Sequence, residues 1–388
     1  MLLLTLWIAV VLSLLVYSLT YQVQMELKLT SMSKKQFQAR ALAQAAIARG
    51  IADIKNDYAI EQSDPKMRFD GEGDIWARPE EGKVGVSLGR GFYTCRIEDA
   101  ESRFNINRVG REIIQAMIEY LGYEKEYAEK VSAAILDWAD PDDRPYRGEA
   151  ESERELYARY LAEWRGEPSP EDAEPIRIKN DKYLTVEELL SVPGVTPEMF
   201  YGIPPEGADK DPWRRYDPKH PPDQIVGLRD MLSVDSTGSI NINTAGPHVL
   251  AVAIIAGGGD MASAYENAQK IIAYRRDGRT EDINNDKAFR TVNDLNNVTD
   301  IGPAAGQLRK YLPITVNSQL FGIMGEGQVG DVRKTIQVLV RRDWQTYRRD
   351  ETKEGEQWRE KSERLRVTDE TEMTAAMPEV RIHRWREF

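Results

Sequence analysis

The chain has 388 residues, 41% of them hydrophobic and 30% charged, with 52 Lys and Arg against 64 Asp and Glu and a formal net charge of −12. That length leaves room for two or three domains with cores of their own, and the acidic balance argues against a protein built to neutralise nucleic-acid phosphate. The single cysteine, Cys95, excludes an internal disulfide and a Cys-rich metal site, and the scattered His220, His248 and His383 give no zinc-enzyme spacing.

Residues 2–23 read LLLTLWIAVVLSLLVYSLTYQV, and the first charged side chain is Glu26. A run of about 20 apolar residues matches a bilayer core of roughly 30 Å, with Trp7, Tyr17 and Tyr21 suited to the interfaces. No small-residue cleavage site follows it. Beyond it, residues 26–57 lack Pro and are rich in Ala, Gln, Leu, Lys and Arg, and Phe37, Ala41, Ala45, Ala48 and Ala52 recur at helical steps. One unbroken helix to about Asp57 is predicted, half in lipid and half a spine for a soluble body. Lys28, Lys34, Lys35 and Arg40 follow the span, which on charge alone places the body in the cytoplasm. A short basic leader upstream of Met1 is the expected resolution.

The alternation of Val84–Leu88 and Phe92–Ile97 across Gly89-Arg90-Gly91 predicts a β-hairpin. Two further strands are predicted from Ile314 to Met324 and from Val332 to Arg342, joined through Gly325, Gly327 and Gly330. Isolated pairs of strands are marginal in water, so the two ends of the body are expected to share one sheet, with residues 99–311 inserted between them.

The insertion contains a repeat. Its first copy opens with Arg103-Phe-Asn-Ile-Asn107, passes through helical stretches 112–121 and 127–138, and closes with Thr185 to Val195. The second opens with Ser239-Ile-Asn-Ile-Asn243, passes through 247–256 and 262–274, and closes with Thr291 to Gly302. Each closing element has a Thr cap, an apolar helix face and a Gly turn, the pattern of a helix–hairpin–helix. Between the copies lie Pro204, Pro205, Pro212, Pro218, Pro221 and Pro222, read as an extended linker. Such hairpins can bind DNA, and a membrane-anchored DNA-binding module is the competing reading. Glu198 and Asp300 beside the hairpins weigh against it and favour a packing unit. From Trp344 onward both signs of charge are dense, which reads as a solvated or disordered tail.

No nucleophile elbow, phosphate loop, zinc-protease or dinucleotide motif is present, and nothing in the sequence asks for an enzyme. The most concentrated chemistry is Asp137, Asp140, Asp142 and Asp143 at the end of an apolar helix, followed by Glu149, Glu151 and Glu153. Carboxylates this dense repel one another unless a cation sits among them, and six to eight oxygen ligands are what calcium takes. The spacing is not that of an EF-hand, and the same residues also suit a solvated acidic loop with Arg144 and Arg147 as countercharge. A second cluster around Asp277, Glu281, Asp282, Asn284, Asn285 and Asp286 is weaker.

The apolar first helix, the Ala-rich Arg40–Ile47 stretch, the Asp99–Asn107 segment, the Ile135–Asp140 segment, the Thr185–Gly194 hairpin and the Ile240–Ala245 segment follow one another in an order that resembles the general secretion pathway protein K family, the large minor pseudopilins of type II secretion. The resemblance covers roughly residues 2–342 and implies an α+β pseudopilin fold. That fold has a long N-terminal transmembrane helix, a small antiparallel sheet and a large inserted helical domain of two helix–hairpin–helix (SAM-like) repeats.

On that basis the expected segments are 1–57 (transmembrane and spine helix), 58–98 (first part of the sheet) and 99–202 (first repeat). They continue with 203–238 (Pro-rich linker), 239–311 (second repeat), 312–343 (strands completing the sheet) and 344–388 (charged tail). The resemblance further implies a non-enzymatic subunit at the tip of a pseudopilus that initiates assembly and supports secretion across the outer membrane. Its partners would be other minor pseudopilins and secreted substrates, with no nucleic acid. It would be a single-pass inner-membrane protein held through residues 2–23, its body in the periplasm and its N-terminus cut by a prepilin peptidase and methylated. It also implies calcium at Asp137, Asp140, Asp142 and Asp143. Positions 2–6 (Leu, Leu, Leu, Thr, Leu) lack the buried Glu by which most pilins meet the next subunit, which suits a cap.

Overall fold

The computed structural model describes residues 1–63, 68–78, 82–146, 148, 152–165, 174–202, 226–277, 287–342 and 380–388. Helices are α1 (Leu2–Ser63), α2 (Arg111–Tyr120), α3 (Lys125–Asp137), α4 (Glu153–Arg165), α5 (Pro197–Tyr201), α6 (Leu228–Met231), α7 (Pro247–Ala256), α8 (Met261–Arg276) and α9 (Ala304–Leu308). Strands are β1 (Val86–Leu88), β2 (Gly91–Asp99), β3 (Phe104–Asn105), β4 (Leu232–Ser233), β5 (Ile240–Asn241), β6 (Ile314–Thr315), β7 (Leu320–Val329), β8 (Val332–Arg342) and β9 (Val380–Glu387). The chain divides into two compact units, Met1–Ala59 with Ile75–Glu98 and Gly322–Phe388, and Ile60–Asp74 with Asp99–Phe321.

In the first unit a sheet of order β1-β2-β7-β8-β9 packs on the C-terminal part of α1. The N-terminal part of α1 is long and apolar enough to cross a membrane, and none of its most apolar window is buried. Ala39, Ala43, Ala46 and Ile47 then bury one stripe completely or nearly so. The stripe is of small residues because the facing strand comes very close. A Cβ on Gly327 would stand 2.0 Å from the carbonyl oxygen of Ala39, and one on Gly325 2.4 Å from that of Ala43. The expected hairpin is present, with Leu88 opposite Gly91 across Gly89-Arg90, and Gly89 takes φ 64°, a conformation glycine adopts freely.

Two features of this unit differ from the sequence reading. Lys83 is buried, its ammonium 3.4 Å from the buried Asp53 of α1 and donating to the carbonyls of Ile75 and Trp76. Arg49 adds a 2.9 Å bond to the same carboxylate. The tail is also not all solvated coil. Residues 343–379 lie outside the described residues, but β9 pairs antiparallel with β8 from Arg342↔Val380 to Ile336↔Glu387. Its alternation of Val380, Ile382 and Trp385 with charged residues is a half-exposed strand pattern that the preceding charge density obscured.

The second unit buries a single hydrophobic core to which α2, α3, α4, α7 and α8 all contribute. The two Asn-Ile-Asn segments enter it in the same way. β3 pairs parallel with β4, and β5 pairs parallel with β6. The second Asn of each segment clamps a distant backbone with both amide atoms. Asn107 accepts from Tyr183 N at 2.8 Å and donates to Tyr183 O at 3.0 Å, while Asn243 makes the same two bonds with Phe289, both at 2.8 Å. Two residues further on, Thr185 and Thr291 open the 3-10 helices Val186–Ser191 and Val292–Asn297, their amides bonded to Glu188 and Asp294. Residues 203–225 of the expected linker lie outside the described residues. Its end is part of the core, since Leu228, Met231 and Leu232 are buried and β4 lies there.

Where the second unit's segments meet, three carboxylates are buried together. Asp99 Oδ2 accepts from Asn241, Thr244 and Ser318, Glu101 accepts from the Gln319 amide at 2.9 Å, and Asp70 accepts from the Ser318 amide at 2.6 Å. These donors are neutral. Burial, joined by mutual repulsion, pushes Asp99 from 3.8 up to about 6 and Glu101 from 4.5 up to about 8. Both groups therefore bind protons on folding, and the stability tied to them is full in acid and is lost as pH rises through those values. The thermal midpoint of this unit is expected to fall between about pH 6 and about pH 9, by on the order of 1 kcal/mol per pH unit for a titrating group, and Glu101→Gln is expected to flatten the upper part of that curve. A calorimetric pH series on both proteins measures it; a midpoint that rises over that range would contradict the assignment.

Candidate metal centre

α3 places Asp137 at its buried C-terminal end, and the chain then turns outward through Asp140, Asp142 and Asp143, all exposed. The turn holds itself with local bonds. Asp140 accepts from the Asp142 amide at 3.3 Å, Asp142 accepts from the Arg144 amide at 2.8 Å, and Asn180 donates to the Asp142 carbonyl. Asp137, 1% exposed, accepts from the Tyr157 hydroxyl at 2.5 Å and from the Tyr146 amide at 3.1 and 3.2 Å. Both Tyr157 and the fifth acid come from α4, which the sequence reading did not foresee. Its start is legible in Ser152-Glu-Arg-Glu155, where Glu155 accepts from the Ser152 amide at 3.2 Å.

The fifth acid is Glu153. It is fully buried, and neither of its carboxylate oxygens has a hydrogen-bond partner. Burial raises it to about 8, with Asp137, Asp143, Asp140 and Asp142 adding repulsion in that order. Asp137 is raised to about 6, chiefly by burial. The structure thus brings Asp137 and Glu153 inside with the three exposed aspartates near enough to act on them. Glu149, Glu151 and Arg147 lie outside the described residues. The countercharge expected from Arg144 and Arg147 is instead seen in Arg154, whose Nε lies 3.9 Å from Asp143. Of the weaker cluster, Asp277 pairs with Lys287, and 281–286 lie outside the described residues.

A buried carboxylate with neither oxygen satisfied is costly, and a cation among oxygen donors relieves it. The donors are all hard oxygens, without His or Cys, which fits calcium or magnesium rather than zinc or copper. Asn180 Oδ1 is also buried without a partner beside the same turn.

Residues 102–205 match the sequence family described as type II secretion system (T2SS), protein K. A curated relative, the type II secretion system protein K of Pectobacterium carotovorum subsp. carotovorum, is 25% identical over 148 residues, covering 34% of this chain and 40% of the relative. The matched part thus spans well under half of that relative's length. Among solved structures, the crystal structure of the GspK–GspI–GspJ complex of the enterotoxigenic Escherichia coli type 2 secretion system contains a similar chain. Its TM-score is 0.50 and its identity 15%, covering 81% of this chain and 94% of that one, so it bears on the fold. The findings agree on one family, protein K of type II secretion, and bear out the resemblance drawn from the sequence.

Proposed function

We propose that this chain, a relative of protein K of type II secretion, is a minor pseudopilin that works at the tip of a pseudopilus. In this reading it initiates pseudopilus assembly together with other minor pseudopilins and supports the passage of secreted proteins across the outer membrane. Residues 2–23 hold it in the inner membrane before assembly, and the body lies in the periplasm. The observation that carries the reading is α1 itself, a single helix whose first third is unburied and apolar and whose later turns are the spine of an open sheet. Such a helix can pass from lipid into a helical filament without refolding. The role is structural, since no group is placed for bond-making. The DNA-binding alternative is not favoured. Mass mapping of the N-terminus of the native membrane protein tests the reading. A mature chain that begins just after an upstream glycine, with a methylated amine, supports it; an unprocessed chain contradicts it.

In the same reading the second unit holds calcium, with Asp137 and Glu153 as inner ligands and Asp140, Asp142 and Asp143 closing the turn over it. The two repeats serve as helix–hairpin–helix packing units around that core. When bound, the ion supplies positive charge that the buried carboxylates lack, which stabilises the turn and the start of α4. Calcium added to chelator-treated protein at about 100 times its dissociation constant is expected to add about 2.7 kcal/mol to stability. Glu153→Gln is expected to remove that response while leaving the calcium-free protein no less stable, because it removes an unpaired buried carboxylate. Thermal denaturation with and without calcium measures both effects, and a midpoint indifferent to calcium in the unaltered protein would rule the ion out.

A further inference from the structure

Within the first unit, β9 ends the sheet, so its outer backbone edge has no strand beside it among the described residues. Residues paired directly across two strands share a face of the sheet. On β8 the buried Ile336, Val338, Val340 and Arg342 mark the face turned to α1, where Arg342 lies 3.6 Å from Asp57. The other face therefore carries Gln337, Leu339 and Arg341, and with them their β9 partners Arg386, Arg384 and Arg381. The register skips one residue between Leu339 and Val340, which leaves His383 as the extra residue of a bulge. The one acid of β9, Glu387, is on the opposite face and bonds Arg40 at 2.8 Å. No residue of β9 is buried. A chain of net charge −12 thus presents an edge strand with three arginines in a row on one face and a fourth, Arg341, beside them.

Like charges set directly opposite one another destabilise a strand pair, so this edge repels a second copy of itself. It does not repel an acidic strand. Alternate residues of an extended chain repeat at roughly 6.8 Å, which is the spacing between Arg384 and Arg386, and a guanidinium takes a carboxylate with two parallel bonds. We propose that the open edge of β9 is a docking site for an extended acidic segment of another protein, which adds as a sixth strand and sets its carboxylates against Arg381, Arg384 and Arg386. Backbone hydrogen bonds supply the attachment and the arginine row selects the sequence. The inference is independent of the role proposed above and of the calcium reading.

The test uses the full-length protein in detergent micelles and a fluorescein-labelled nine-residue peptide that alternates Glu with Val. Binding by fluorescence anisotropy is expected, with slowed amide exchange over residues 380–387. Arg384→Gln combined with Arg386→Gln is expected to weaken it about tenfold, as is Gln for Glu in the peptide. N-methylation of alternate peptide amides is expected to abolish it, because a strand needs those donors. Unchanged exchange in β8 of the double variant shows that β9 is still in place; should β9 be released, Arg381→Gln alone serves as the second variant. The proposal is overturned if the peptide does not bind at low salt, if the arginine variants bind it unchanged, if the N-methylated peptide binds as well, or if a short single-stranded oligonucleotide binds more tightly than the peptide.

Discussion

Gly327→Val is expected to cost the first unit on the order of 3 kcal/mol or more, the upper range for overpacking. The position has no room to absorb even a single methyl group. An added Cβ would meet Ala39 O at 2.0 Å, Ala43 N at 2.6 Å and Leu42 Cβ at 2.8 Å. Two of the three are helix backbone, which no rotamer change can move aside, so α1 would have to lift from β7 over several turns. Relief cannot come from the helix side either, where the facing residues are already alanines. Gly325 repeats the arrangement one turn along, with Ala43 O at 2.4 Å. Urea denaturation of the variant measures the loss. As a control, Gly306→Ala, where nothing lies within 4 Å of the new Cβ, is expected to be neutral or slightly stabilising. Equal effects at both positions would mean that α1 and β7 do not meet as described.

Lys83→Met is expected to destabilise the same unit by roughly 3 to 5 kcal/mol, the usual penalty for leaving one partner of a buried pair without the other. Lys83 and Asp53 are each about 2% exposed at the side chain, and no bulk water reaches the carboxylate that would remain. Arg49 stays within 2.9 Å of Asp53 and offsets part of the loss, which places the expected value toward the lower end. The informative comparison is the double variant Lys83→Met with Asp53→Met. With both charges gone and the volume filled, much of the lost stability is expected to return. A double-mutant cycle by urea denaturation checks it, and additive losses would show that the two groups do not interact.

What the sequence revealed, and what it hid, follows the range of the interactions. α1 was legible because apolar and then alanine periodicity is local, and β2 and β8 because alternation is local. The Asn-Ile-Asn segments stood out as repeats, but their partners Tyr183 and Phe289 lie 76 and 46 residues away, and nothing near either end announces the pairing. Asp137 was singled out by its neighbours in sequence. Glu153 was noted among the following acids but not as the inner ligand, because its burial is decided by α4 folding back over the core. Lys83 reads as a surface residue between Gly82 and Val84; only the close passage of α1 makes it internal. β9 was masked by the charged run before it.

The account stands or falls on whether this chain assembles with minor pseudopilins. The direct measurement is to express the full-length chain, tagged after Phe388, with the other minor pseudopilins of its own genome, and to weigh what is purified from the inner membrane by native mass spectrometry. The account predicts a stoichiometric complex containing one copy of this chain and at least two others, dissociated by Gly327→Val. A chain recovered alone, with those pseudopilins present and folded in the same membrane, would contradict it.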